Sequence, residues 1–169
     1  LSMAECRNLP LKLLVVGSDD RSLFLPKVCQ LGLQDRVRFL SPSGDVGQFY
    51  AAADVYAGPS LEDSFALPPL EAMACGLPVI TSINNGGSQI ITEAVDGFVL
   101  ADPMDSSALA RLVRLLYEQP EMRRSVGENA AHTAQAYNWN RNAAEMWQFL
   151  RDAAGRKRES VAAVVRATD

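Results

Sequence analysis

Two carboxylates stand eight residues apart within residues 59–78, PSLEDSFALPPLEAMACGLP: Asp63 in an acidic loop and Glu71 in the apolar run that follows. Glu71 lies among Leu70, Ala72, Met73 and Ala74, and a charge in such company is costly unless it is paired. Its partner is either a ribose diol or a structural Lys or Arg. Asp63, a loop aspartate, reads as a helix cap or as a ligand group. The helix starting near Ala66, Leu67 and Pro68 offers backbone N–H groups and a partial positive charge, both suited to an anionic phosphate. Phe65 can anchor the loop in the core. Gly17-Ser18-Asp19 reads as a strand-to-helix turn or a ligand contact, and no G-x-G-x-x-G fingerprint is present. Asn84-Asn85-Gly86-Gly87 reads as a flexible loop or a phosphate cradle, and His132 as a surface helix residue.

These residues need a scaffold, and the chain supplies alternating strand and helix signals. Residues 12–16 (KLLVV) form a continuous apolar run ended by Gly17, which predicts a strand covered on both faces. Leu23, Phe24, Val28 and Leu31 recur at helical spacing, with Pro26 tolerated in the first turn and Gly32 as the stop. Further strands are expected at 37–40, 54–57, 78–81 and 97–100, with short helices around Phe49 and Tyr50 and over 68–75. The period then becomes helical. Asp105 or Ser106 caps a helix through Leu109, Leu112, Val113 and Leu116. Pro120 starts another, through Met122, Val126 and Ala130, and Trp139, Met146, Trp147 and Leu150 mark a third. Trp139, Trp147 and Phe149 read as core, and residues 155–169 as a frayed end or an arm.

Strands alternating with helices predict βαβ units with right-handed crossovers. The expected fold is α/β, a three-layer Rossmann-like parallel sheet with a helical C-terminal cap. In such sheets ligands bind beyond the carboxyl ends of the strands, here loops 17–20, 40–44, 59–66 and 82–88. Gly, Ser, Pro, Asn and acidic residues gather in those loops, as in a binding crevice.

Composition narrows the function. A chain of 169 residues is about one domain and needs no metal or disulfide staple. Sixteen Lys and Arg against twenty Asp and Glu give a net charge of −4, which argues against a nucleic-acid binder. A single histidine excludes a histidine metal cage. Cys6, Cys29 and Cys75, without C-x-x-C spacing, read as reduced core thiols of a cytoplasmic protein. No run approaches a membrane span, and the opening residues do not read as a signal peptide. Because a strand follows almost at once, a preceding segment is expected in the natural protein.

The central segment resembles the C-terminal, donor-binding half of retaining GT-B glycosyltransferases, glycosyltransferase family 4 or group 1. That family carries E-x-F-G-L-x-x-L-E-A-M-A-x-G-x-P-V. Here the stretch is Asp63-Ser64-Phe65-Ala66-Leu67-Pro68-Pro69-Leu70-Glu71-Ala72-Met73-Ala74-Cys75-Gly76-Leu77-Pro78-Val79. Tyr50-Ala51-Ala52-Ala53-Asp54-Val55, Pro59-Ser60, Gly86-Gly87, Asp96-Gly97-Phe98-Val99 and Trp139 extend the similarity over about residues 11–150.

The resemblance implies a nucleotide-sugar donor (a UDP-, GDP- or ADP-sugar) and transfer of a hexose to an acceptor hydroxyl. Glu71 would bond the ribose and Asp63 the sugar hydroxyls, as the catalytic pair. Ser64 and the N–H groups of Phe65, Ala66 and Leu67 would meet sugar and diphosphate, with Leu40 and Ser41 bordering the base and Gly17 nearby. A front-face mechanism is implied, with metal dispensable because no Asp-x-Asp cluster is present. Residues 1–10 would be an N-terminal extension, 11–150 the binding domain and 151–169 a basic helix or tail, able to touch a membrane surface in the parent protein.

The departures are specific. Asp63 stands where Glu is usual, Ala66 replaces a Gly and is acceptable at negative φ, and Gln89 stands where a Glu often follows. The family's Gly-Arg…Lys-Gly, whose cations meet the diphosphate, has no match before Leu11. The acceptor domain is missing too, and transfer needs both walls of a cleft. The expectation is a weakly binding fragment, inactive by itself. The alternative is a non-catalytic truncated paralogue or interaction module. A sugar-nucleotide epimerase is disfavoured by the acidic pair and E-A-M-A-x-G-x-P.

Overall fold

A computed structural model describes residues 1–17, 20–42 and 44–167; Ser18, Asp19 and Ser43, named above in two loops, lie outside them. The chain divides into two units, Leu1–Thr133 and Ala134–Asp169.

The first unit alternates strands and helices in the expected order: β1 (Leu13–Val16), α1 (Leu25–Gln30), β2 (Val37–Leu40), α2 (Gly47–Ala51), β3 (Tyr56–Gly58), α3 (Leu67–Ala74), β4 (Val79–Ser82), β5 (Phe98–Leu100), α4 (Ser106–Glu118) and α5 (Pro120–Gln135). Two 3-10 turns, Arg21–Leu23 and Gly86–Ile90, interrupt the loops after β1 and β4. Every ladder is parallel, as the crossovers require. The sheet is in two parts, however: β1 pairs with β2, and β3, β4 and β5 pair in that order.

The core lies under β4 and β5. All four β4 residues are buried. Ile80, Phe98 and Leu100 pack with Leu116 of α4 and Val126 of α5, and Val55, Leu109, Leu112, Val113 and Met122 complete the cluster. Each such side chain contributes about 1.5–3 kcal/mol by leaving water. Asp105 caps α4 through the Ala108 N–H at 2.8 Å. Gly76 ends α3 in the left-handed region, φ +79°. Gly127 lets α5 approach that turn so closely that a Cβ there would collide with the Gly76 carbonyl oxygen.

Four expectations need correction. The β1 strand is not covered on both faces: Leu13, Leu14 and Val16 are each about two-fifths exposed, because the neighbouring α1 buries none of its own residues. A continuous apolar run reads the same in either setting. Of the cysteines, all free, only Cys6 is buried, its thiol 3.4 Å from the Ala110 carbonyl; Cys29, in the last turn of α1, and Cys75, just after α3, are exposed. In the second unit Trp139, Trp147 and Phe149 are exposed rather than core. Of the two readings of residues 155–169, a frayed end or an arm, the frayed end is not found, since residues 155–167 continue α6 (Trp139–Ala167).

Residues 1–10 form a turn held by Arg36, the residue before β2. The Arg36 guanidinium donates to the carbonyls of Cys6, Arg7, Leu9 and Leu11 at 2.9–3.2 Å. No helix among the described residues is long and apolar enough to cross a membrane.

Candidate functional site

The acidic loop between β3 and α3 is held by the loop after β4. The Asp63 N–H donates to the Asn84 carbonyl, and the Gly86 N–H to the Asp63 carbonyl, each at 3.0 Å. Asn84 Nδ2 donates to the Leu61 carbonyl at 2.9 Å, and Ser82 Oγ to the Ser60 carbonyl at 2.5 Å. Gly86 passes so close that a Cβ would collide with the Ser64 carbonyl oxygen. The residue at the centre is Asn85, fully buried. Its Oδ1 accepts from the Gly87 N–H at 2.8 Å and the Ala66 N–H at 3.4 Å, while Nδ2 donates to Ser60 Oγ at 3.4 Å. Residues 84–87 are therefore not the flexible loop expected of two Asn and two Gly. A buried amide side chain with both ends bonded ties two loops together, and no local signal separates it from the exposed Asn84.

Asp63 Oδ1 accepts from the Phe65 N–H at 3.0 Å, a local turn of the kind Asp favours. The backbone enters α3 at Ala66 with φ −64° and ψ 131°, so the Ala in place of Gly costs no strain. Two of the three amides expected to face a ligand, those of Phe65 and Ala66, thus have partners inside the protein. Leu67 opens the helix, and Pro68 and Pro69 after it carry no N–H. The start of α3 offers its dipole and few donors. Phe65 does not anchor the loop in the core. It is 40% exposed, because Pro69, Ala72 and Met73 form the buried face of α3. Ser64 and Leu67 are exposed beside it.

Glu71 is half-buried on the second turn of α3, and among the described residues it forms no ion pair with a Lys or Arg. Its Oε2 accepts from the Tyr50 hydroxyl of α2 at 2.8 Å. The Tyr50 ring sits against Tyr56, the first residue of β3, with centroids 6.4 Å apart and planes tilted by 54°. Burial first, then the bond to Glu71 and its charge, push the Tyr50 hydroxyl far above the ordinary phenol range. Burial, then the charges of Glu71 and Asp63, push Tyr56 up as well. Both phenols stay protonated beside the two carboxylates. Twenty-one residues and an intervening strand separate Tyr50 from Glu71, so no spacing rule could pair them.

Gly17, Leu40 and Ser41 meet at the carboxyl ends of β1 and β2, where the Gly17 N–H donates to the Leu40 carbonyl at 3.2 Å. Gly17 and Ser41 are exposed and Leu40 half-buried. Both groups of expected site residues thus follow strand ends. His132 is exposed on α5. Among the described residues no three His, Cys, Asp or Glu gather as metal ligands would.

The profile of the family Glycosyl transferases group 1 matches residues 2–133. D-inositol 3-phosphate glycosyltransferase of Salinispora tropica is 35% identical over 130 residues, 76% of this chain and 27% of that protein. Lipopolysaccharide glucosyltransferase WaaG of Escherichia coli K12 is 34% identical over 122 residues, 72% of this chain and 33% of that protein. Among solved structures, Anabaena HepE in complex with UDP-glucose superposes with a TM-score of 0.81 at 26% identity, covering 89% of this chain and 43% of that one. The chain spans between a quarter and a third of the length of these curated relatives.

Proposed function

The chain belongs to the group 1 glycosyl transferases, and on that premise we propose that it binds the nucleotide-sugar donor of a retaining hexosyltransferase. The observation that carries the reading is the half-buried Glu71 carboxylate, held by a phenol rather than neutralised by a cation. An anionic acceptor so placed suits the two hydroxyls of a ribose. A charge-assisted hydrogen bond contributes about 1.5–3 kcal/mol, so Glu71→Gln weakens donor binding roughly tenfold to a hundredfold. Asp63, with Oδ1 engaged by its own loop, faces the sugar hydroxyls, and the Leu67 N–H and the α3 dipole meet the diphosphate. Leu40 and Ser41 border the base, with Gly17 alongside. The donor carries a uracil, guanine or adenine base; the UDP-glucose bound by Anabaena HepE supports the first.

In the transfer itself the bond from the sugar's anomeric carbon to the diphosphate oxygen breaks as the acceptor oxygen bonds to that carbon from the same face. The departing diphosphate takes the acceptor's proton. This step needs an acceptor-binding wall opposite the strand ends, which we assign to a partner domain of the cytoplasmic parent enzyme; without it the domain binds donor weakly and does not turn over. Metal is dispensable in this scheme.

A second reading, a non-catalytic module that keeps the fold, is favoured by one observation: the Phe65 and Ala66 amides are already taken. Calorimetric titration with UDP-, GDP- and ADP-sugars separates the two. Heat with one of them, reduced in Glu71→Gln, supports donor binding, and no heat with any at high protein concentration supports the module.

A further inference from the structure

We propose that Tyr50 is a positioning residue for Glu71, its hydroxyl holding one carboxylate oxygen so that the other is presented to the ribose. The inference rests on the donor-binding reading above and extends it to a residue on a different element. Glu71 Oε2 accepts from Tyr50 Oη at 2.8 Å. The other oxygen, Oε1, has no hydrogen-bond partner among the described residues, yet it is not shut away from solvent. The carboxylate therefore has one fixed end and one open end.

The phenol is suited to this task. Its ring is steadied against Tyr56, and burial together with the neighbouring charge keeps its proton in place across the working pH range. A Lys or Arg in its position would neutralise Glu71 and compete with the ribose for it. Tyr50 orients the carboxylate and leaves its charge intact. Without that bond Glu71 recovers rotamer freedom, which the ribose contact must then remove at the expense of affinity.

The test measures dissociation constants of UDP, and of its analogue lacking both ribose hydroxyls, for the wild-type chain, Glu71→Gln, Tyr50→Phe and the double variant. Tyr50→Phe keeps the ring and removes one oxygen. It is expected to weaken UDP about fivefold to tenfold while leaving the analogue within about twofold of wild type, and to add nothing in the Glu71→Gln background. Equal weakening of both ligands means a packing role, and unchanged discrimination means no role. Either result overturns the assignment of Tyr50 and leaves the Glu71 reading standing. If the wild-type chain binds no UDP, or Glu71→Gln still discriminates between the two ligands, the donor-binding reading fails and takes this inference with it.

Discussion

Asn85→Ala and Asn84→Ala change neighbouring residues of one type, yet they are expected to differ several-fold in cost. Asn85 is fully buried. Alanine there strands the Gly87 N–H, bonded at 2.8 Å, and the Ala66 N–H, bonded at 3.4 Å. Losing a cap of the first kind costs about 0.5–2 kcal/mol, and a second, part-buried donor left unpaired adds about 1 kcal/mol. The sum is roughly 1.5–3 kcal/mol. Asn84, exposed, loses a single bond from Nδ2 to the Leu61 carbonyl, and a surface change of that kind stays within about 0.5 kcal/mol. Urea unfolding, with midpoints compared at unchanged slope, reads both values. Asn85→Ala is also expected to loosen the acidic loop and weaken donor binding, because Ala66 and Ser60 lose their tether. Similar small losses for the two variants would show that the loops are not tied through Asn85.

Gly127→Ala drives a methyl into the Gly76 carbonyl oxygen; backbone must move, and a loss of about 1–3 kcal/mol in urea unfolding is expected, whereas no loss would mean that α5 packs elsewhere. Gly86→Ala meets the Ser64 carbonyl in the same way and should additionally depress donor affinity in calorimetry, since the acidic loop gives way. The raised phenols of Tyr50 and Tyr56 make the folded chain hold protons that the unfolded chain releases above its ordinary phenol value of 10.0. Their contribution is therefore fully present below about pH 10 and falls as the pH rises beyond it. Urea midpoints followed into that range should decline less steeply in Tyr50→Phe, and an identical decline would contradict the assignment. Cys29 and Cys75 are exposed and Cys6 buried, so a thiol reagent should label the native chain twice, reaching Cys6 only in denaturant; three rapid labels would place Cys6 at the surface.

The fold was legible because its signals are local. Gly76 after an apolar helix, Asp105 before one, and Pro26 and Pro120 in first turns each mark an element boundary through backbone constraints of the residue itself. Burial was less legible. The run at Leu13–Val16 is as apolar as Val79–Ser82 is hidden, but only β4 has helices across it to exclude water. At the site, the identity and spacing of Asp63 and Glu71 located the loop and the helix after it. They could not reveal what each group bonds. Glu71 pairs with Tyr50, and Asn85 gathers partners from two loops, through contacts that exist only once α2, α3 and the loop after β4 have docked. The double proline was visible in the sequence, and its consequence, a helix start short of donors, follows from proline's missing N–H alone.

Glu71 is proposed to present an open carboxylate oxygen to the ribose of a nucleotide diphosphate. A crystal structure of the chain soaked with UDP-glucose tests it most directly. The expected result is a ribose hydroxyl within hydrogen-bonding distance of Glu71 Oε1, with the Tyr50 hydroxyl still on Oε2 and the diphosphate over the start of α3. A nucleotide seated away from Glu71, or a Glu71 turned from the strand ends onto a guanidinium, would contradict it.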